Sequence, residues 1–385
     1  MKIISGGVCA SKGFTANGVH CGIRHNRTKR DLALISSEVP ATAASVYTTN
    51  LVKGAPLLVT KKHIENGIEI AEQMSDLVAS ALNIPADNVV VASTGVIGQP
   101  LNIEPIKKGM ESLAKGLSNE NGLLAAEAIM TTDVAVKEIA VEFNIGDKVC
   151  HIGGIAKGSG MIHPNMATML VFITSDVNIS SEMLSKALKS DIKETFNMIS
   201  VDGDTSTNDM VVVLANGLAE NTKIESEGKD FEEFMKALNT VNVSLCRMIA
   251  GDGEGATKLL ECAVEGAKEL DIAKTVAKSV ICSSLTKAAM FGADANWGRV
   301  LCAIGYSGAD VDVNKIDVSF ISNKGEIAVC KNGSGVEFSE EKAKEILLEK
   351  EITIAVNLND GKFSSKAWGC DLTYDYVKIN GDYRT

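Results

Sequence analysis

A lysine, a threonine and two glycines fall close together in Lys157-Gly-Ser-Gly-Met-Ile-His-Pro-Asn-Met-Ala-Thr-Met-Leu170. Thr168 follows the small residue Ala167 and opens an apolar run, Met169 to Ile173, with the pattern of a buried strand. On residue type alone, a threonine at the head of a strand is an ordinary β-former. Its setting adds chemistry. Attack of the Thr168 hydroxyl on the Ala167 carbonyl would turn that peptide bond into an ester, which water opens, leaving Thr168 with a free α-amine. Such an amine titrates at roughly 7.7–8.0, close to ideal for a general base at neutral pH. Hydroxyl and amine on one residue make a self-contained activated nucleophile, able to carry an acyl group and pass it on.

Other residues could assist. Thr94-Gly95 follows the apolar run Asn88–Ala92, where a hydroxyl and a neighbouring N–H can both face a developing oxyanion; an ordinary turn is the plainer reading. Lys157 on a glycine turn suits a substrate carboxylate. The turn is no phosphate loop, because Ser159 stands where that motif needs its lysine. Glu254, within Gly251-Asp-Gly-Glu-Gly255, lies in a bend flexible enough for close approach to a ligand, or for a helix opening at Gly255-Ala256. Asp202, Asp204 and Asp209 lack the glycine and the closing glutamate of a calcium loop and read as turn-capping residues. His163 reads as a loop histidine.

Composition narrows the function classes. The 385 residues carry a net charge of −11, which argues against nucleic acid as a partner, since phosphate binding needs a basic surface. No apolar run approaches the ~18 residues of a membrane helix, and the N-terminus shows no secretory h-region. Nine scattered cysteines without a CxxC read as free thiols, as in a reducing cytoplasm. The five histidines lack metal-ligand spacing, so metal catalysis is not expected.

The elements that must position these groups are mixed. Short strands and turns fill residues 1–60. Helices are predicted over 70–82, 104–117 and 121–130, with a short strand at 88–92. Val134–Phe143 and Lys148–Ile155 pair as strands around Asn144-Ile-Gly-Asp147. A strand from 168 to 175 precedes a helix capped by Ser181, with its apolar stripe running on to residue 199. Met210–Ala215 is another buried strand, and 228–250 and 255–283 are mainly helical. Strand-like alternation at 316–320 and 352–358 brackets a helix at 340–350. The fold class is α/β of the α+β type, two-lobed, with helices layered on mixed and antiparallel sheets and an N-terminal-nucleophile-like site.

Several motifs together carry a resemblance: KGF, GVHCGI and KRDLALI near the start, then VASTGVIGQPL, MTTD, KGSGMIHPNMATML, DGDTSTND, GDGEGATKL, FGADANWGRV and a C-terminal AWGCDLTYDYVKINGDYRT. The chain resembles the ornithine acetyltransferases, or glutamate N-acetyltransferases, of arginine biosynthesis. That resemblance implies self-cleavage at Ala167–Thr168 into an α chain (1–167) and a β chain (168–385) that stay together, as two copies of each. The β chain would hold the nucleophile strand within 168–260 and a C-terminal lobe over about 270–385. It implies that Thr168 takes acetyl from N-acetylornithine and gives it to glutamate, with Thr94 and Gly95 as oxyanion hole. Thr131, Lys157, Thr168, Glu254, Asn380 and Thr385 match the substrate-binding positions. No cofactor is implied; acetyl-CoA is a second candidate donor. One departure stands out. A segment of roughly twenty residues expected after Ile64 is absent, and losing a strand there would leave unpaired edges. Two rival readings follow: an N-terminal-nucleophile amidase or aminopeptidase with water as acceptor, and a non-catalytic homologue disabled by that deletion.

Overall fold

The computed structural model describes residues 1–24, 29–51, 69–95, 101–163 and 169–382. The most apolar segments become the middle of a six-stranded sheet. Its members are β1 (Lys2–Ile4), β4 (Thr42–Tyr47), β5 (Lys137–Ile145), β6 (Lys148–Lys157), β7 (Leu170–Ser175) and β9 (Met210–Ala215), ordered β1-β5-β6-β7-β9-β4. Met210-Val-Val-Val-Leu-Ala215 has no polar face to offer water, and β9 accordingly lies between two neighbours, parallel to β7 and antiparallel to β4. The predicted β5–β6 hairpin closes through Gly146-Asp147, where Gly146 has φ 60°, a left-handed turn conformation open to glycine at little cost. β6 and β7 pair antiparallel from Ile152↔Ser175 to Lys157↔Leu170, so the loop 158–169 joins adjacent strands.

One face of this sheet is covered by the hairpin β2 (Phe14–Val19) and β3 (Leu32–Ser37) with three helices. These are α1 (Glu69–Leu82), α2 (Ile103–Lys115) and α3 (Gly122–Ile129). Val8, Ala16, Ala125, Ala126 and Ile155 form the contact. The other face meets α4 (Ser181–Asp191) and α5 (Lys229–Gly251). Helix α5 buries Phe234, Leu238, Val241, Leu245 and Ile249, spaced three or four apart, a stripe that turns one face inward.

Beyond α5 lies a seven-stranded sheet, ordered β13-β12-β11-β14-β10-β15-β8. Its strands are β8 (Ile199–Ser200), β10 (Leu259–Ala267), β11 (Asp317–Ser322), β12 (Gly325–Lys331), β13 (Ser334–Gly335), β14 (Glu351–Asn357) and β15 (Phe363–Cys370). The helices α6 (Leu270–Cys282), α7 (Ser284–Phe291), α8 (Trp297–Gly305), α9 (Glu340–Leu347) and α10 (Tyr374–Asp382) complete the described residues. β8 lies in the crossover between the parallel strands β7 and β9, so that one connection links the two sheets. The result is the mixed, layered α/β architecture expected.

Four local expectations are corrected. Residues 255–283 begin as strand, not helix: Leu260, Cys262 and Val264 point inward while Glu261 and Glu265 alternate outward, a period of two. The α4 cap is Ser180, whose hydroxyl accepts from the Met183 N–H, and the stripe beyond residue 191 leaves the helix for a short turn and β8. Val89 and Val91 pack on Met74 and Val78, but Asn88 ends a short 3-10 turn and residues 89–95 belong to none of the described strands. β5 starts at Lys137 and not Val134, because the preceding residues are held by side-chain carboxylates described below. Leu57–Val59 and the junction after Ile64 lie outside the described residues.

Candidate active site

The groups expected to bind substrate gather at the end of β6, where the chain enters the loop before β7. Lys157 closes β6 with its side chain nearly buried, and the next residues turn back under a second loop, 252–257. The Ser159 hydroxyl donates to the Asp252 carbonyl at 2.7 Å, and the Glu254 N–H donates to the Ser159 carbonyl at 2.9 Å. Gly160 lies directly beneath the Glu254 carboxylate: a Cβ there would stand 2.6 Å from Oε1 and closer still to Oε2 and Cδ. Glycine at 160 is what lets Glu254 reach the loop. No helix opens at Gly255; the close-approach reading of that bend is the one realised.

The C-terminal helix closes over the same place. Asn380 Nδ2 donates to Glu254 Oε2 at 2.9 Å, and the Thr373 hydroxyl donates to the Gly255 carbonyl at 2.7 Å. Burial and the negative charges of Asp202 and Glu254 push the Tyr376 phenol well above its ordinary range. The structure therefore brings Glu254 and Asn380 together against the Ser159-Gly160 turn that follows Lys157.

Thr131 joins them through a carboxylate. Asp133 Oδ2 accepts from the Thr131 N–H at 2.8 Å, and Oδ1 from the Gly158 N–H at 2.7 Å and Lys137 Nζ at 2.7 Å. Lys137 reaches Asp252 Oδ2 at 2.5 Å, and that oxygen also accepts from the N–H groups of Val134 and Ala135. Burial by itself would raise the Asp133 carboxyl, but the charges of Lys137 and Lys157 with the Gly158 N–H bring it down to about 2. Burial lowers Lys157, opposed by Asp133. Asp133, Lys137 and Asp252 were not singled out from the sequence. Their signal was adjacency, Asp133 closing MTTD and Asp252 standing two residues before Glu254.

Of the stretch around Thr94 and Gly95, the preceding residues are the ones held. Ala92 packs against the cluster of Leu170, Met210 and Val212 at the head of β7, and Asn208 Nδ2 donates to the Ser93 carbonyl at 2.9 Å. Gly95 has open space where a side chain would be. Met169, the residue after Thr168, is buried, and its carbonyl accepts from the Met210 N–H at 2.9 Å. Ala167, Thr168 and Thr385 lie outside the described residues.

The loop before the scissile bond is tied down as well. Asp202 accepts from the N–H groups of Met161 at 2.6 Å and Ile162 at 2.9 Å, the turn-binding role expected of it. His163 Nδ1 lies 3.1 Å from the Ser200 hydroxyl and 3.6 Å from Cys282 Sγ. Burial, with Lys278 nearby, lowers the His163 imidazole to about 4, so it is neutral at physiological pH. All nine cysteines are free. Among the described residues no cluster of His, Cys, Asp or Glu side chains could hold a metal, and no helix is long and apolar enough to cross a membrane.

Comparison with known proteins gives the family of the chain. The ArgJ family model matches residues 15–70 and 64–385. Arginine biosynthesis bifunctional protein ArgJ 1 of Clostridium acetobutylicum is 52% identical over 392 residues, covering 97% of this chain and 96% of its own. The arginine biosynthesis bifunctional protein ArgJ of Caldanaerobacter subterraneus is 50% identical over 405 residues, covering 100% of both chains. That alignment has more positions than this chain's 385 residues, and the two family matches meet between residues 64 and 70, at the expected deletion. The crystal structure of arginine biosynthesis bifunctional protein argJ from Bacillus halodurans is 51% identical with a TM-score of 0.54, covering 56% of this chain and 100% of its own.

Proposed function

The chain belongs to the ArgJ family, and we propose that it cleaves itself at Ala167–Thr168 and then carries acetyl from N-acetylornithine to glutamate on the Thr168 hydroxyl. It is an acetyltransferase of arginine biosynthesis. The observation that supports the finer reading is the meeting of Glu254 and Asn380 on the Ser159-Gly160 turn after Lys157, in the loop leading to Thr168, with Ala92, two residues before Thr94, packed at the head of β7. The solved relative adds support: its whole chain is matched by 56% of this one, about the share running from Thr168 to Thr385.

In the cleavage step the Thr168 oxygen attacks the Ala167 carbonyl, the peptide nitrogen leaves as the new α-amine, and water hydrolyses the ester, releasing the Ala167 carboxylate. In transfer, the Thr168 oxygen attacks the acetyl carbonyl of N-acetylornithine while the α-amine takes the hydroxyl proton. The Thr94 hydroxyl and Gly95 N–H donate to the oxyanion. The amide C–N bond then breaks, and the proton passes to the departing ornithine amine. Glutamate's amine attacks the acetyl ester by the same path reversed, restoring the Thr168 hydroxyl.

Lys157 pairs with the α-carboxylate that both substrates share, and Glu254, held by Asn380, pairs with ornithine's δ-ammonium. Thr131 and Thr385 complete the substrate contacts. Acetyl-CoA is the second donor, delivering acetyl to the same hydroxyl with thiol as leaving group. The nine free thiols suit a reducing cytoplasm. The fragments 1–167 and 168–385 stay together, two of each.

The test is a denaturing gel with a product assay. Wild-type protein runs as two fragments, Thr168→Ala as one 40.7 kDa band, and N-acetylglutamate forms from N-acetylornithine only with the former. An uncut, fully active wild type would refute the cleavage step, and acetate released in place of N-acetylglutamate would make the enzyme a hydrolase.

A further inference from the structure

The proposed site asks a lysine to remain charged where burial works against its charge. Four charged groups face the Lys157 ammonium from the surrounding elements: Asp133 and Asp209 favour its proton, Lys137 and Arg24 oppose it. Among them Asp133 is bonded to the frame of the site itself. Its side chain is buried, and its two oxygens receive four donors: the Gly158 N–H and Lys137 Nζ at 2.7 Å each, the Thr131 N–H at 2.8 Å and the Thr131 hydroxyl at 3.4 Å.

An aspartate retained only to neutralise Lys137 would not need that arrangement. Lys137 already has Asp252 at 2.5 Å and the Ala135 carbonyl at 3.3 Å. Three of the four donors to Asp133 come from residues 131 and 158, one a candidate substrate-binding residue and the other the immediate neighbour of one. We propose that Asp133 is a positioning residue of the acetyl-transfer site, fixing the Lys157-Gly158 corner and the Thr131 hydroxyl in one geometry. This rests on the reading that Lys157 and Thr131 contact substrate.

The arrangement has a second consequence. Asp133, Lys137 and Lys157 lie before the proposed cut and Asp252 lies after it. The buried chain of alternating charge therefore passes from one fragment to the other beneath the site, and the Asp252 carbonyl in turn holds Ser159. Displacing Asp133 disturbs both the corner that holds Lys157 and the loop that presents Glu254.

Two variants of the full chain separate geometry from charge, assayed for acetyl transfer from N-acetylornithine to glutamate across pH. Asp133→Asn keeps the shape and removes the charge. Its KM for N-acetylornithine rises about tenfold to hundredfold, the range set by one charge-assisted hydrogen bond, while kcat changes far less. The alkaline limb of kcat/KM moves to lower pH, because Lys157 has lost the carboxylate that favours its proton. Asp133→Glu keeps the charge but places it one methylene too far to accept from both Gly158 and Thr131; KM rises and the limb stays. Mere loss of folded enzyme lowers kcat at every pH and moves neither KM nor the limb. Wild-type KM and limb in both variants, or a fall in kcat alone, overturn the proposal. If Asp133→Asn does not fold, the KM of Asp133→Glu decides. Lys157→Met, run alongside, tests the underlying reading: a wild-type KM there sinks the role of Lys157, whereas a raised KM there with unaffected Asp133 variants sinks only the role of Asp133.

Discussion

Replacing Gly160 by alanine perturbs the site through a single methyl group. The added Cβ would stand 2.6 Å from Glu254 Oε1 and nearer to Oε2 and Cδ, whereas non-bonded heavy atoms settle at roughly 3.5 Å. The carboxylate must retreat by about 1 Å, which breaks its 2.9 Å contact with Asn380 and moves the proposed partner of ornithine's δ-ammonium. Misplacement by about 1 Å in a positioned site costs roughly a hundredfold, or about 2.7 kcal/mol of transition-state binding. We therefore expect Gly160→Ala to lower kcat/KM for N-acetylornithine about a hundredfold, with a smaller change in KM for glutamate, which has no δ-ammonium. Stability should barely change. Gly160 is not in the left-handed region, and alanine restricts the unfolded chain more than glycine does. Asn380→Ala removes the partner without the clash and should cost about tenfold. Because both variants act on Glu254, the double variant should be little worse than Gly160→Ala alone. Steady-state kinetics and thermal melts on the three proteins decide. A Gly160→Ala enzyme with wild-type kcat/KM, or a double variant whose losses simply add, would refute the reasoning.

Two further expectations concern the nucleophile and its approach. Thr94→Ala should lower kcat by about 10²–10³ with KM nearly unchanged, since an oxyanion donor acts only in the transition state; Thr94→Ser should recover most of it. A Thr94→Ala enzyme within a few-fold of wild type would remove Thr94 from the oxyanion hole. His163 titrates at about 4 in the fold against an ordinary 6.5, so its contribution to stability is complete above pH 6.5 and is lost as pH falls towards 4. In uncut Thr168→Ala protein, the urea midpoint should drop more steeply between pH 6.5 and 4 than it does when His163 is also changed to asparagine. Parallel curves would show that His163 does not take up the extra proton on unfolding.

What could be read from the sequence, and what could not, divides by range. β9, α5 and the β5–β6 hairpin were legible because one periodicity or one glycine turn decides each of them locally. The strand Leu259–Ala267 was missed although it alternates cleanly, because the helical pattern of the residues that follow was extended back over it. Residues 89–92 are apolar yet belong to none of the described strands, and sheet pairing is not a property of a segment alone. At the site, Lys157 and Glu254 stand out in the sequence as charged residues in glycine-rich bends, and the motifs around them imply substrate-binding roles. Gly160 and Asp133 do not. A glycine matters there because a carboxylate from ninety-four positions later lies against it, and an aspartate matters because four backbone and side-chain donors converge on it.

The position of the proposed cut within the sheet explains why cleavage need not loosen the molecule. Lys157 and Leu170 are paired residues of adjacent antiparallel strands, so the bond removed lies in a connecting loop while the β6–β7 ladder from 152 to 175 remains. On the far side β7 is held by β9, and α5, from the second fragment, lies across β5 and β6 of the first. The apolar contact between the fragments is thus the core of the six-stranded sheet, where Ile152, Ala156, Val171 and Ile173 are all buried. Burial of one such side chain contributes about 1.5–3 kcal/mol, so a few of them far outweigh the modest cost of one open loop. What the proposed cleavage would change is local. It would release Thr168 from Ala167 next to the buried Met169, freeing the amine while the strand that follows keeps its place. The proposed nucleophile would gain its base, and its anchorage would be the strand pairing that the loop never supplied.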